Sequence, residues 1–298
     1  MTIGEKIKEL RQAKFMTQAD LAGRQITRNM LSAIENGSAQ PSLGTLLYLS
    51  ERLGVPAGFL LAEEGDETLY RKMNALSNIK RAYDAGDFSI CRSLCMGAAS
   101  SPDDELLLLL AESDLELAKE AFDEGQLRRA CRLFDEALEY AEQGRYPVDR
   151  VKAEASVYFA YLERISPSLY SEILDAGETT EFLWNAPFSA YVDLLQVIEE
   201  GRTLEAEARL ALFEEGFYRT HASILLQMQA GDFAAAKSAL LSLLESGELK
   251  LPVERYEVLS ALETCCKEEE DYKGAYEYAT EKVLLAEQLL SDIPAQKI

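Results

Sequence analysis

The sequence predicts an all-α protein in two parts: a bundle of five short helices at the N-terminus, then an α-solenoid of helical hairpins. Three observations predict it. In the first sixty residues, cap residues, apolar positions and glycines follow one another at the intervals of short helices. Farther on, one turn motif recurs, twice at a spacing of 39 residues. Proline is scarce, 8 in 298 residues, and the stretch beyond residue 66 is rich in Ala, Leu and Glu, so little interrupts helix.

Ile3, Ile7 and Leu10 fall at i, i+4 and i+7 and share one face of the first helix, which Phe15 closes. Thr17, with Asp20 three residues on, has the form of a capping box opening the second helix. Leu21 and Ala22 follow as core positions, the small Ala22 letting the second and third helices cross closely. Ile26 plugs the turn and Thr27 caps a third helix. There Leu31 and Ile34 face inward while Arg28, Asn29, Met30 and Ser32 face outward, and Gly37 ends the helix as a left-handed cap. Pro41-Ser42 opens a fourth helix with Leu43, Leu46, Leu47 and Leu53 inside. Gly54 closes it, and Pro56, at a first helical position, starts a fifth. The third helix therefore presents a polar outer face that can enter a DNA major groove.

These residues resemble the Xre/Cro-type helix-turn-helix family of phage and bacterial repressors. The resemblance lies in Thr17-Gln18, Leu21-Ala22, Ile26-Thr27, Ile34-Glu35-Asn36-Gly37, Pro41-Ser42-Leu43 and Leu53-Gly54-Val55, about one fifth of the chain. It implies sequence-specific binding to a double-stranded DNA operator and roles by position. Gln18 touches a phosphate or braces the reading helix. Arg28, Asn29 and Ser32 face base edges, with Thr27 beside them at the cap. Arg suits guanine and Asn suits adenine by bidentate pairing. Asn36, Ser38 and Gln40 supply phosphate contacts that set register. Arg11 and Glu35 match positions that pair across the bundle. One departure from the family is Gly23-Arg24-Gln25-Ile26-Thr27, one residue shorter than the common pattern, which leaves open which outward residue reaches which base.

The domain division expected is 1–62 for this head, 63–68 for an acidic hinge and 69–298 for the body. In the body the motif reads Ala85-Gly86-Asp87-Phe88 with Cys91, Glu124-Gly125-Gln126-Leu127 with Ala130, Ala230-Gly231-Asp232-Phe233 with Ala236, and Glu270-Asp271-Tyr272 with Ala275. Gly-Asp ends one helix and caps the next, the aromatic or Leu packs back, and the small residue lets the two helices approach. No hairpin buries its apolar face alone, so hairpins stack. The pattern resembles tetratricopeptide repeats and predicts about ten to twelve helices in a right-handed superhelix with a concave face.

A head and body of these kinds together resemble the peptide-sensing regulators of Gram-positive bacteria. That resemblance implies a cytoplasmic homodimer, joined through the repeats, whose concave face holds a short peptide clamped by Asn side chains. Asparagine in the body is limited to Asn74, Asn78 and Asn185. Asn185 beside Trp184 is the candidate ligand-binding pair. The aromatics Tyr158, Phe159, Tyr161, Phe182, Trp184, Phe188 and Tyr191 form either a pocket lining or core. The alternative is an interaction scaffold, in which the acidic repeats grip a protein partner and the head is an accessory module.

Charge separates the two parts. Residues 1–61 carry seven Lys or Arg against five Asp or Glu, whereas residues 66–298 carry 23 against 45. An acidic body repels phosphates, so it points away from DNA and favours a basic ligand. The five cysteines have no zinc-finger spacing, and an odd count without a signal peptide fits a reducing cytosol. No metal or cofactor is expected. His221 is the single histidine, its neighbours form no triad, and no phosphate-binding glycine loop occurs, so no enzyme is expected. No apolar run reaches membrane-spanning length; Leu106–Ala111 is far too short.

Overall fold

The computed structural model describes residues 2–62, 66–99, 101–166 and 187–291. Every regular element among them is an α-helix, and they divide into two compact units, Met1–Pro102 and Asp103–Ile298. None of these helices is long and apolar enough to cross a membrane.

The first unit opens with α1 (Ile3–Ala13), α2 (Gln18–Ala22), α3 (Arg28–Glu35), α4 (Leu43–Leu53) and α5 (Ala57–Leu61). The first four begin alike. Thr2, Thr17, Thr27 and Ser42 each accept the backbone N–H three residues on, from Glu5, Asp20, Met30 and Thr45. Each such cap is worth about 1 kcal/mol. Thr2 and Thr17 complete the reciprocal capping box. Ile7, Leu21, Leu31, Ile34, Leu46, Leu49, Leu53 and Leu60 close one core. Gly4 sits where a Cβ would lie 2.1 Å from the Ile34 carbonyl oxygen, so α1 rides directly on the backbone of α3.

Two expectations for the head are corrected, one on Leu43 and Leu47 and one on Pro56. Leu43 and Leu47 are not inside; they are 69% and 51% exposed. The buried face of α4 is centred on Leu46, Leu49 and Leu53, and at about 100° per residue Leu43 and Leu47 lie a quarter turn or more away from it. Phe15 does close α1, but with its backbone. It adopts φ 55°, its N–H bonds the Gln12 carbonyl, and its ring is 96% exposed. Pro56 is the residue before α5 rather than its first.

The first unit ends with the hairpin α6 (Asp66–Asp84) and α7 (Phe88–Ala98). Helix α6 thus begins inside the stretch 63–68. The second unit holds α8 (Asp104–Asp123), α9 (Leu127–Gln143), α10 (Asp149–Ile165), α11 (Pro187–Glu199), α12 (Thr203–Leu210), α13 (Phe217–Gln229), α14 (Phe233–Glu245), α15 (Pro252–Glu268) and α16 (Tyr272–Leu289).

One turn joins α6 to α7, α8 to α9, α11 to α12, α13 to α14 and α15 to α16. A left-handed residue stands at its centre: Gly86, Gly125, Gly201, Gly231 and, without glycine, Glu270 at φ 59°. The N–H of the next residue reaches back five positions: Asp87 to Ala82, Gln126 to Ala121, Arg202 to Val197, Asp232 to Gln227 and Asp271 to Cys266, at 2.8 to 3.2 Å. Five residues after the centre stands a small buried side chain: Cys91, Ala130, Ala206, Ala236 or Ala275. The Gly201 turn escapes the sequence pattern because Thr203 replaces the aromatic or Leu.

The aromatic cluster is core. Tyr158, Phe159, Tyr161 and Tyr191 are buried, and Phe188 packs between them and Phe122. Phe182, Trp184 and Asn185 lie outside the described residues. His221 is buried against Phe217, with the Tyr191 hydroxyl 2.9 Å from Nδ1. Burial, aided by the positive field of Arg164, pushes its pKa down to about 4.

Two outcomes follow from these environments. Glu270→Gly relieves a left-handed side-chain conformation that costs about 1 kcal/mol, and a higher urea midpoint is expected. His221 titrates near 6.5 when unfolded and near 4 when folded, so the unfolded chain takes up this proton first. The stability its neutral ring contributes is complete above pH 6.5 and is lost as pH falls toward 4. Between pH 7 and pH 5 a loss of about 2 kcal/mol is expected, smaller in His221→Gln, measured by urea unfolding at each pH.

Candidate nucleic-acid interface

Helix α3 is held on one side and open on the other. Leu31 and Ile34 fill the core while Arg28 and Asn29 are exposed and Ser32 is half-buried. At the helical pitch, Arg28, Asn29, Ser32 and Asn36 fall within about 100° of arc, one stripe along the outer face. Asn36 Nδ2 stands 3.5 Å from Ser32 Oγ within that stripe. Thr27 Oγ1 accepts the Met30 N–H, which fixes the first turn of α3 beneath Arg28 and Asn29. Beyond the helix, Gly37 turns the chain at φ 74°, Ser38 Oγ donates to the Ala33 carbonyl, and Ser38 and Gln40 stay exposed. The eight expected DNA-facing residues thus divide. Thr27, Arg28, Asn29 and Asn36 are exposed and Ser32 half-buried on α3 or at its ends, Ser38 and Gln40 are exposed in the loop beyond it, and Gln18 is bonded to Glu35.

Gln18 is bonded to the end of α3. Its Nε2 donates to Glu35 Oε2 at 2.8 Å. Glu35 also accepts from Arg11, Nε to Oε1 at 2.7 Å and Nη2 to Oε2 at 3.1 Å. Arg11 Nη1 donates in turn to the Met16 carbonyl at 2.8 Å. The Glu35 side chain is 1% exposed and that of Arg11 11%. Hydrogen bonding to Glu35 raises the pKa of Arg11 further. One carboxylate at the end of α3 therefore gathers α1, α2 and α3.

A second clamp, not foreseen from sequence, holds the shortened turn. Tyr48 donates its hydroxyl to the Ala22 carbonyl at 3.0 Å, and Arg52 Nη2 donates to the Asp20 carbonyl at 2.6 Å. The Arg52 guanidinium lies 5.7 Å from the Tyr48 ring centre. These groups take up the carbonyls that end α2. They leave no room for a side chain at Gly23, where a Cβ would meet the Tyr48 oxygen at 2.3 Å at a φ of +59°. The i, i+4 spacing of Tyr48 and Arg52 on α4 was the available signal.

Residues 7–60 match the helix-turn-helix family. The immunity repressor protein of Bacillus phage phi105 is 34% identical over 85 residues, 28% of this chain. The chain spans 57% of that relative's length. Among solved structures, Bacillus thuringiensis PlcR in complex with the peptide PapR7 and DNA aligns over 98% of this chain and 99% of its own, at 14% identity and TM-score 0.23. The apo form of the competence regulator ComR from Streptococcus vestibularis aligns over 98% and 93%, at 15% identity and TM-score 0.23.

Glu35→Ala removes three charged hydrogen bonds and leaves the Arg11 guanidinium largely buried. A loss of about 3 kcal/mol in the head's unfolding transition is expected by chemical denaturation.

Proposed function

We propose that this chain is a sequence-specific DNA-binding transcriptional regulator that acts as a homodimer on an inverted-repeat operator. The observation that carries the reading is the stripe of Arg28, Asn29, Ser32 and Asn36 on a helix whose other side is locked by Leu31, Ile34 and Glu35. A reading helix needs both properties, because base-edge pairing tolerates little movement. Exposed Arg and Asn side chains in the first turn of α3 supply the two strongest bidentate readers, for guanine and adenine. Two heads read half-sites about one helical turn apart, roughly 34 Å. Repression is the proposed sign, since a repressor needs only to occupy its site, and the phage repressor relative supports it. The cytoplasm is the proposed compartment. The acidic second unit is the proposed seat of a basic peptide or protein ligand, which shifts the regulator only if it binds two dimer arrangements unequally.

Selection of genomic fragments with the purified protein, followed by gel shift at two salt concentrations, tests the reading. An inverted repeat bound specifically at the higher salt is the expected result. Arg28→Ala and Asn29→Ala should each weaken that binding about ten-fold or more, with nonspecific binding and folding retained. Weak binding that vanishes with salt and ignores both substitutions would overturn it in favour of the interaction scaffold.

A further inference from the structure

A cleft of about 610 Å³ opens within the first unit. One wall belongs to the head, where Leu10 of α1, Val55 and Phe59 of α5 reach it, each half-buried. The other wall is the α6–α7 hairpin, with Leu94 and Ala98 of α7. The volume falls in the range of small-molecule sites, which combine an apolar lining with a few polar groups. Here those groups include Lys6 and Arg71 against one carboxylate, Glu9. An excess of cations is out of character for a chain of net charge -22.

Two further observations mark the cleft as a site. The first is Gly97, in the last turn of α7. Glycine weakens a helix relative to alanine. Gly97 takes no left-handed φ, and a Cβ added there would meet nothing within 4 Å. Neither conformation nor close packing calls for glycine, and its bare backbone leaves the cleft open. The second is the pair Arg71 and Asn74, one turn apart on α6 and both exposed. Among the described residues neither has a hydrogen-bond or ion-pair partner. Lys6 differs. It is 2% exposed, and its Nζ donates to the Ala62 carbonyl at 2.5 Å and the Phe59 carbonyl at 3.4 Å. Lys6 thus supplies fixed positive charge, while Arg71 and Asn74 keep their donors for another group.

We propose that this cleft binds a small aliphatic monocarboxylate. The Arg71 guanidinium matches a carboxylate with two parallel N–H bonds, and Asn74 adds an amide donor. The hydrocarbon tail leaves water for Leu10, Val55, Phe59 and Leu94. Glu9 repels a second carboxylate, which selects against diacids. The occupant touches α1 and α5 on one side and α6 and α7 on the other, so it holds the head and the hairpin together. This site is separate from the DNA-reading surface, because no residue of α3 lines it.

The test uses the full chain and sodium octanoate, with octylamine as the opposite charge on the same tail. Titration calorimetry should find one saturable octanoate site per chain, and the unfolding temperature should rise with octanoate concentration. Octylamine should do neither. Arg71→Ala should weaken octanoate at least ten-fold while the unfolding temperature of the free protein stays the same, since the side chain is exposed and unbonded. Gly97→Leu should fill the cleft and abolish binding, with the free protein as stable as before or more so. No saturable octanoate binding, equal stabilisation by octylamine, or binding that survives both substitutions would overturn the site. These readouts involve no DNA, so failure of this site and failure of the operator reading are told apart.

Discussion

The head depends on one buried carboxylate. Glu35 sits at the end of α3 and receives Arg11 from α1 and Gln18 from α2. Apolar packing brings these helices together but does not set their rotation, because Leu and Ile side chains tolerate sliding. Charged hydrogen bonds are directional, and a buried one permits few geometries. The bidentate Arg11 contact and the Gln18 amide therefore set how far α3 turns about its own axis. That rotation decides whether Arg28 and Asn29 face outward together. Gly4 sharpens the constraint, since the missing side chain lets α1 lie against the last carbonyls of α3.

The head and the rest of the chain differ in charge. The head is mildly basic, and its outer face carries neutral polar groups beside Arg28. Such a face has little bulk attraction for phosphate. Residues 66–298 are strongly acidic, with 23 Lys or Arg against 45 Asp or Glu, a charge that repels phosphate. Under the proposed function, this division of charge favours selectivity over total affinity.

Much of the head was legible in the sequence because its determinants are local. Thr17 and Thr27 cap residues three positions away, and Gly37 and Gly54 take left-handed conformations that little else adopts. The hairpin turns were legible for the same reason, apart from the one at Gly201, where Thr203 hides the pattern. The failures concern distance and orientation. Leu43, Leu46, Leu47 and Leu49 are chemically alike, and only the packing of α4 on α1 and α2 selects Leu46 and Leu49 for the core. The Tyr48 and Arg52 clamp joins residues 26 and 32 positions apart to carbonyls, which carry no sequence signature. Phe15 violates the usual preference for glycine at a left-handed position, so nothing in its identity announced that conformation.

The repeated turn also bears on how the chain comes apart. Each turn is closed by bonds that reach back no farther than five residues, and each hairpin is completed by a small residue only five positions beyond the turn's centre. Such units ask little of distant chain, so a hairpin can open and reclose while its neighbours persist. Amide hydrogen exchange in the array should then proceed hairpin by hairpin, with rates that step at the turns. The head, tied through contacts between residues 11, 18 and 35, has no such seams and should exchange as one block.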